Sequence, residues 1–145
     1  DSYMIKDYKP SHLLVGECME TDLFTVQQTD IIELVADMMD WRKVRYLPVE
    51  DGKGKLAGLV TSRLLLRHFV KNRNSKKVFL VSDVMIKNPY TVTQDASLLE
   101  AMKIMKENKI GCLPVVNDGE LIGVITETDF LKISTRLMER LEENI

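Results

Sequence analysis

Val81-Ser82-Asp83-Val84-Met85, then Thr91-Val92, Leu113-Pro114-Val115 and Leu121-Ile122-Gly123-Val124-Ile125-Thr126, restate a series already met upstream. The earlier copy runs Val15-Gly16-Glu17-Cys18-Met19, Thr25-Val26, Leu47-Pro48-Val49 and Leu56-Ala57-Gly58-Leu59-Val60-Thr61. The offset is 66 residues from Met19 to Met85 and from Leu47 to Leu113, and 65 from Gly58 to Gly123, so one residue is lost in a loop. A fixed period decides the architecture, because each copy must be the same supersecondary unit. Copies this short are expected to be halves of one compact body.

Each copy reads as strand, helix, strand, strand, helix. In the first, Leu23–Val26 is β-prone, and Asp30 with Glu33 three residues on predicts a capping box for a helix over Ile31–Asp40. Ile31, Leu34, Val35, Met38 and Met39 are expected on its buried face. Tyr46–Val49 and Leu56–Thr61 flank Asp51-Gly52-Lys53-Gly54 as a hairpin, and a helix follows over Ser62–Val70. In the second, Tyr90–Val92 is a strand, and a helix over Ser97–Asn108 turns Leu98, Ala101, Met102, Ile104 and Met105 inward. Asn117-Asp118-Gly119-Glu120 joins strands Cys112–Val116 and Leu121–Thr126; Asp-Gly is a strong hairpin signal. A last helix from Glu127 carries Phe130, Ile133, Leu137 and Leu141 at helical spacing and outruns the repeat, so its stripe is expected to pack on a neighbour.

Composition excludes several classes. The 145-residue chain is 45% hydrophobic and 29% charged, as expected of a globular protein able to bury a core. No apolar run approaches the roughly 18–20 residues needed to span a bilayer. Net charge is −2, which argues against a nucleic-acid partner, although Arg67, Lys71, Arg73, Lys76 and Lys77 make a basic connector between the copies. Cys18 and Cys112 have neither disulfide-framework nor metal spacing, so free thiols in a reducing cytoplasm are expected. His12 and His68 lack partners at ligand spacing, and no nucleophile–base pair or phosphate-cradling glycine loop is present, which argues against an enzyme and a metal site. Trp41 is expected to pack at the end of the first helix. The opening at Asp1 suggests a piece of a longer protein.

With Leu-Pro-Val and Gly-x-x-Thr in order in both copies, the sequence resembles a tandem pair of cystathionine-β-synthase (CBS) domains from about Leu14 to Ile133. The resemblance implies an α+β fold of two β-α-β-β-α repeats around a pseudo-two-fold axis, with two related clefts at their junction. The expected division is an N-terminal arm over 1–14, anchored by Tyr3, Ile5, Tyr8 and Leu13, a first CBS motif over 15–72 and a connector over 73–80. A second motif over 81–133 and a helical extension over 134–145 complete it. Such pairs are usually regulatory, commonly bind adenosine compounds, and often dimerise.

The sharpest chemistry lies in Gly123-Val124-Ile125-Thr126-Glu127-Thr128-Asp129. A strand ends and a helix begins there, so amide groups and the helix dipole favour an anion. Thr126 offers a hydroxyl to phosphate, and Asp129 can accept from both hydroxyls of a ribose. The resemblance makes this pair the ribose-phosphate element; the same spacing also reads as a helix cap, and the two roles can coexist. In the first copy Leu64 replaces the aspartate beyond Thr61, so one nucleotide site is expected rather than two.

By the same resemblance the adenine pocket falls to Met85, Thr91, Val92, Ile110, Gly111, Leu113 and Pro114, with core packing the alternative for Leu-Pro-Val. Arg45, Lys43 and Arg63 are candidate phosphate cations, which favours AMP, ADP or ATP over S-adenosylmethionine. The expected function is a cytoplasmic, homodimeric, ligand-sensing module that controls an attached or partner enzyme or transporter. The alternative is a structural dimerisation module with no small ligand.

Overall fold

A computed structural model describes residues 13–144. The arm anchors Tyr3, Ile5 and Tyr8, together with His12, lie outside the described residues. The elements are α1 (Val15–Cys18), β1 (Val26–Gln27), α2 (Ile32–Arg42), β2 (Tyr46–Glu50), β3 (Leu56–Thr61), α3 (Ser62–Lys71), α4 (Val81–Val84), α5 (Leu98–Asn108), β4 (Cys112–Asn117), β5 (Glu120–Thr126) and α6 (Glu127–Glu143). This is the expected α+β pattern, with one-turn helices α1 and α4 added ahead of each copy.

The chain forms two compact units. One holds residues 13–21, 91–117 and 122–144; the other holds 22–90 and 118–121. Each unit therefore combines the body of one repeat with the opening segment of the other. Val81 is packed in the core of Val26, Ile32, Val35, Met39, Leu47, Val49, Val60 and Leu65. Val15 is packed with Val92, Leu98, Ala101, Met105, Leu113, Val115 and Ile125. Backbone bonds fix these guests: Val81 N–H donates to the Asp30 carbonyl at 2.8 Å, and Val15 N–H to that of Ala96 at 2.8 Å.

In the 22–90 unit, β1 pairs parallel with β2 (Val26 opposite Val49), and β2 pairs antiparallel with β3 (Leu47 opposite Val60). In the other unit β4 and β5 form a two-stranded sheet, and the counterpart of β1 shrinks to one parallel bridge, Val92 with Val115. Both hairpins use the expected turns. Asp51 Oδ1 accepts from the N–H groups of Lys53 and Lys55 at 2.7 and 3.0 Å. Asp118 and Gly119 both take positive φ (50° and 80°), as a two-residue hairpin turn that continues strand twist requires.

Helix phase departs from expectation in places. The Asp30–Glu33 capping box does not form: Ile31 is the N-cap and has no side-chain bond, while Asp30 Oδ2 accepts from Gln27 N–H at 2.8 Å. The turn before the helix has claimed that carboxylate. Ile32 takes the buried position expected of Leu34, which is 62% exposed. Met102 is likewise exposed, and Trp41 stands out at 76% exposed instead of packing. Helix α5 keeps its predicted inward residues Leu98, Ala101 and Met105, and Ser97 Oγ caps it by accepting from Glu100 N–H at 3.0 Å. On α6, Phe130 and Ile133 pack on the core, whereas Leu141 is exposed.

Candidate functional site

Strand β5 hands the chain directly to α6 at Thr126. The Thr126 N–H donates to Asp129 Oδ2 at 2.8 Å, and its hydroxyl donates to the same oxygen at 3.2 Å. Glu127 N–H donates to the Gly111 carbonyl at 3.0 Å. Asp129 is the one buried charged residue among the described residues, 5% exposed. The helix-cap contact predicted from the spacing is thus present, and it holds the carboxylate in a defined position.

The first copy uses its threonine differently. Thr61 Oγ1 accepts from Leu64 N–H at 3.1 Å, an ordinary N-cap. With a carboxylate three residues on, Thr126 instead turns its hydroxyl proton toward the stronger acceptor. One substitution, leucine for aspartate, therefore separates a plain cap from a cap with a fixed acid.

The segment after α1 closes on this junction. Glu20 N–H donates to the Val124 carbonyl at 2.8 Å, and Val124 N–H returns a bond to the Glu20 carbonyl at 3.0 Å. The half-exposed Glu20 carboxylate lies 3.8 Å from Lys132 Nζ. Burial and then the nearby Asp129 carboxylate raise the Glu20 pKa, with Lys132 pulling the other way. The Cys112 thiol is pushed up to about 12 by burial and then by the Asp129 and Glu20 charges. Burial, Glu17 and Asp129 raise that of Cys18.

Most of the expected adenine set lies in the same unit: Thr91 exposed, Ile110 half-buried, and Val92, Gly111, Leu113 and Pro114 buried. Val92 and Leu113 belong to the core cluster, and the Pro114 carbonyl accepts from Val92 N–H at 3.1 Å. Met85 is placed in the other unit, where its sulfur stands 2.7 Å from the point a Cβ on Gly58 would occupy. The matching position over Gly123 is taken by the sulfur of Met19, at 2.6 Å. The opening segments have exchanged bodies, which a register between copies does not reveal.

Lys43, Arg45 and Arg63 lie in the 22–90 unit and are exposed. Lys43 and Arg45 line an open cleft of about 480 Å³ between α2 and α3, with Met39, Ser62, Leu65 and Phe69. Lys43 ends α2 in the left-handed conformation (φ 56°), as Lys109 ends α5 (φ 53°). Neighbouring Arg42 is committed, its guanidinium 4.1 Å from the Phe24 ring centroid. His68 packs edge-on against Phe79 at 4.4 Å. Among the described residues, no group of three or more His, Cys, Asp or Glu side chains is arranged to hold a metal ion, and no helix is long and apolar enough to cross a membrane.

The duplicated body, with Gly-x-x-Thr closing each β-hairpin, is matched by the family model of the CBS domain over residues 15–71 and again over 81–136. The chain belongs to the CBS domain family. A CBS domain-containing protein of Dictyostelium discoideum is 29% identical over 88% of this chain and 94% of its own length. Inosine-5'-monophosphate dehydrogenase of Korarchaeum cryptofilum is 40% identical over 74% of the chain, which accounts for 21% of that enzyme. The CBS pair is thus a minor part of the relative named as an enzyme. Among solved structures, CBSX2 in complex with AMP, a protein of Arabidopsis thaliana, matches at 27% identity and a TM-score of 0.77. That match covers 87% of this CBS pair and 98% of CBSX2.

Proposed function

We propose that this CBS pair is a regulatory module that binds an adenosine nucleotide of the AMP, ADP or ATP class and controls an attached or partner protein. The observation that carries the reading is the buried Asp129 carboxylate, held by Thr126 where β5 meets α6. A fixed acceptor at a helix N-terminus matches a ribose diol joined to a phosphate. Family membership and the likeness to CBSX2, solved with AMP, support the ligand class. Thr91 and the backbone of residues 110–114 would face the base, with Met19 taking the place first given to Met85. Lys43, Arg45 and Arg63 are the cations to substitute when testing for phosphate contacts. The setting is a cytoplasmic homodimer, and the enzyme relative illustrates fusion to a catalytic domain. S-adenosylmethionine is the less favoured ligand.

A second reading, a structural dimerisation module without a small ligand, is favoured by the fact that Asp129 Oδ2 already accepts two bonds from Thr126. Thermal unfolding of ligand-stripped protein with AMP, ADP, ATP and S-adenosylmethionine separates the two. Ligand at about 100 times its Kd stabilises by about 2.7 kcal/mol, a rise of several degrees in Tm for a chain this size. The proposal expects such a rise with a phosphorylated adenosine and its loss in Asp129→Ala. An unchanged Tm across the panel, in a chain that sediments as a tight dimer, supports the structural module.

A further inference from the structure

We propose that the outer faces of α2 and α3 form a self-complementary docking surface, on which the first repeat of one chain pairs with the first repeat of a second copy about a two-fold axis. This rests on the homodimer in the reading above and names the surface that makes it.

Helices α2 and α3 touch each other and share the core of the 22–90 unit. Ile32, Val35 and Met39 from α2 and Leu65 from α3 are buried there. Their opposite sides present large apolar groups to solvent. On α2, Leu34 and Trp41 lie two turns apart and are 62% and 76% exposed. On α3, Leu66 and Val70 lie one turn apart and are 64% and 50% exposed. Single apolar side chains on a surface need no explanation, but a set of them on two adjoining helices marks an interaction surface.

Charge selects the occupant. Helix α2 exposes Glu33, Asp37 and Asp40, and its one cation, Arg42, is committed to the Phe24 ring. Helix α3 exposes Arg63, Arg67 and Lys71 and has no acidic residue. Among the described residues the one ion pair joins Lys132 to Glu20, so these two rows are not paired within the chain. An acidic helix beside a basic one is complementary to its own copy. A two-fold axis lays α2 over α3 of the second copy and, by the same operation, α3 over its α2. A partner of uniform charge would match one helix and be repelled by the other. The second repeat lacks the pattern: α5 mixes Glu100 and Glu107 with Lys103 and Lys106, and α6 mixes Glu139 with Arg136 and Arg140. Pairing a first repeat with a second would leave both rows unmatched.

The test is sedimentation of the full chain without nucleotide, at low and high salt. Asp37→Lys with Asp40→Lys makes α2 net basic, and Arg63→Glu with Arg67→Glu makes α3 net acidic. Each chain alone should dimerise at least about tenfold more weakly than wild type at low salt, with part of the loss recovered at high salt. Mixed in equal amounts, the two chains should form a heterodimer of near wild-type affinity, because a basic face then meets an acidic one. Trp41→Ser, an independent change that alters no charge, should also weaken the dimer by about tenfold or more. Trp41 is the only tryptophan of the chain, so its emission should move to longer wavelength as wild type is diluted through dissociation. All the substituted residues are exposed, and cooperative urea unfolding checks that each variant folds. Variants that dimerise as wild type does, or a mixture that stays monomeric, would overturn this surface while the homodimer and the adenosine reading stand. A wild-type chain that is monomeric at every concentration would overturn the homodimer and this surface together.

Discussion

The sulfur of Met85 stands 2.7 Å from the point a Cβ on Gly58 would occupy, and the Ile86 carbonyl stands equally close. That carbonyl also accepts from Leu59 N–H at 3.0 Å, so it is pinned by the bridge that joins the exchanged segment to β3. The glycine of the Gly-x-x-Thr motif is there because a backbone passes directly over it.

Gly58→Ala should therefore cost about 1–3 kcal/mol, the usual penalty of forced overpacking. Gly123→Ala should cost less. Its tightest neighbour is the movable end of Met19, at 2.6 Å, with the Glu20 carbonyl further off at 3.0 Å. Urea unfolding of the two variants gives the comparison. A Gly58→Ala chain as stable as wild type would mean the bridge at Ile86 is not held as described.

The two thiols should differ in reactivity. Cys112 is buried with its thiol near pKa 12, whereas Cys18 is half-buried and less strongly perturbed. A disulfide reagent at pH 8 should label Cys18 first, and Cys112 only as the chain unfolds. Equal rates for both in folded protein would contradict the packing of β4.

Acid and base should act on stability in opposite senses at two carboxyls. Glu20 has a raised folded pKa, so its favourable contribution is complete below its unfolded pKa and fades as pH rises through the folded value. Asp51 has a lowered one, through bonds from the Lys53 and Lys55 amides, so its contribution is present above the unfolded value and fades as pH falls. The Tm of Glu20→Gln relative to wild type should thus improve from pH 4 to pH 7.5. That of Asp51→Asn should worsen from pH 2.5 to pH 7. Parallel, flat differences for either variant would remove that carboxyl from the pH response.

Local signals carried far in this chain. Strand β3 begins and ends where the Asp51–Gly54 turn and the apolar run after it place it, and the Asp118-Gly119 hairpin has the dihedrals its residues demand. Those features depend on neighbours in sequence. Helix α2 is where local reasoning slipped: its apolar residues wrap too widely to choose a face, and the core chose Ile32 over Leu34. The cap failed for a related reason, since Asp30 had a nearer donor at Gln27.

By itself the sequence determined that one unit is built twice, which elements make it, and that only the second copy carries a carboxylate beyond its threonine. Those properties are written in spacing and residue type. Only the tertiary structure decided that Val15–Cys18 and Val81–Val84 exchange bodies, that Met19 rather than Met85 covers Gly123, and that Glu20 is bridged to Val124 beside the Thr126 junction. Each of these joins residues far apart in the chain, where copies of near-equal pattern could accept either partner. The choice rests on which buried valine and which backbone bridge complete each core, and no local period records that.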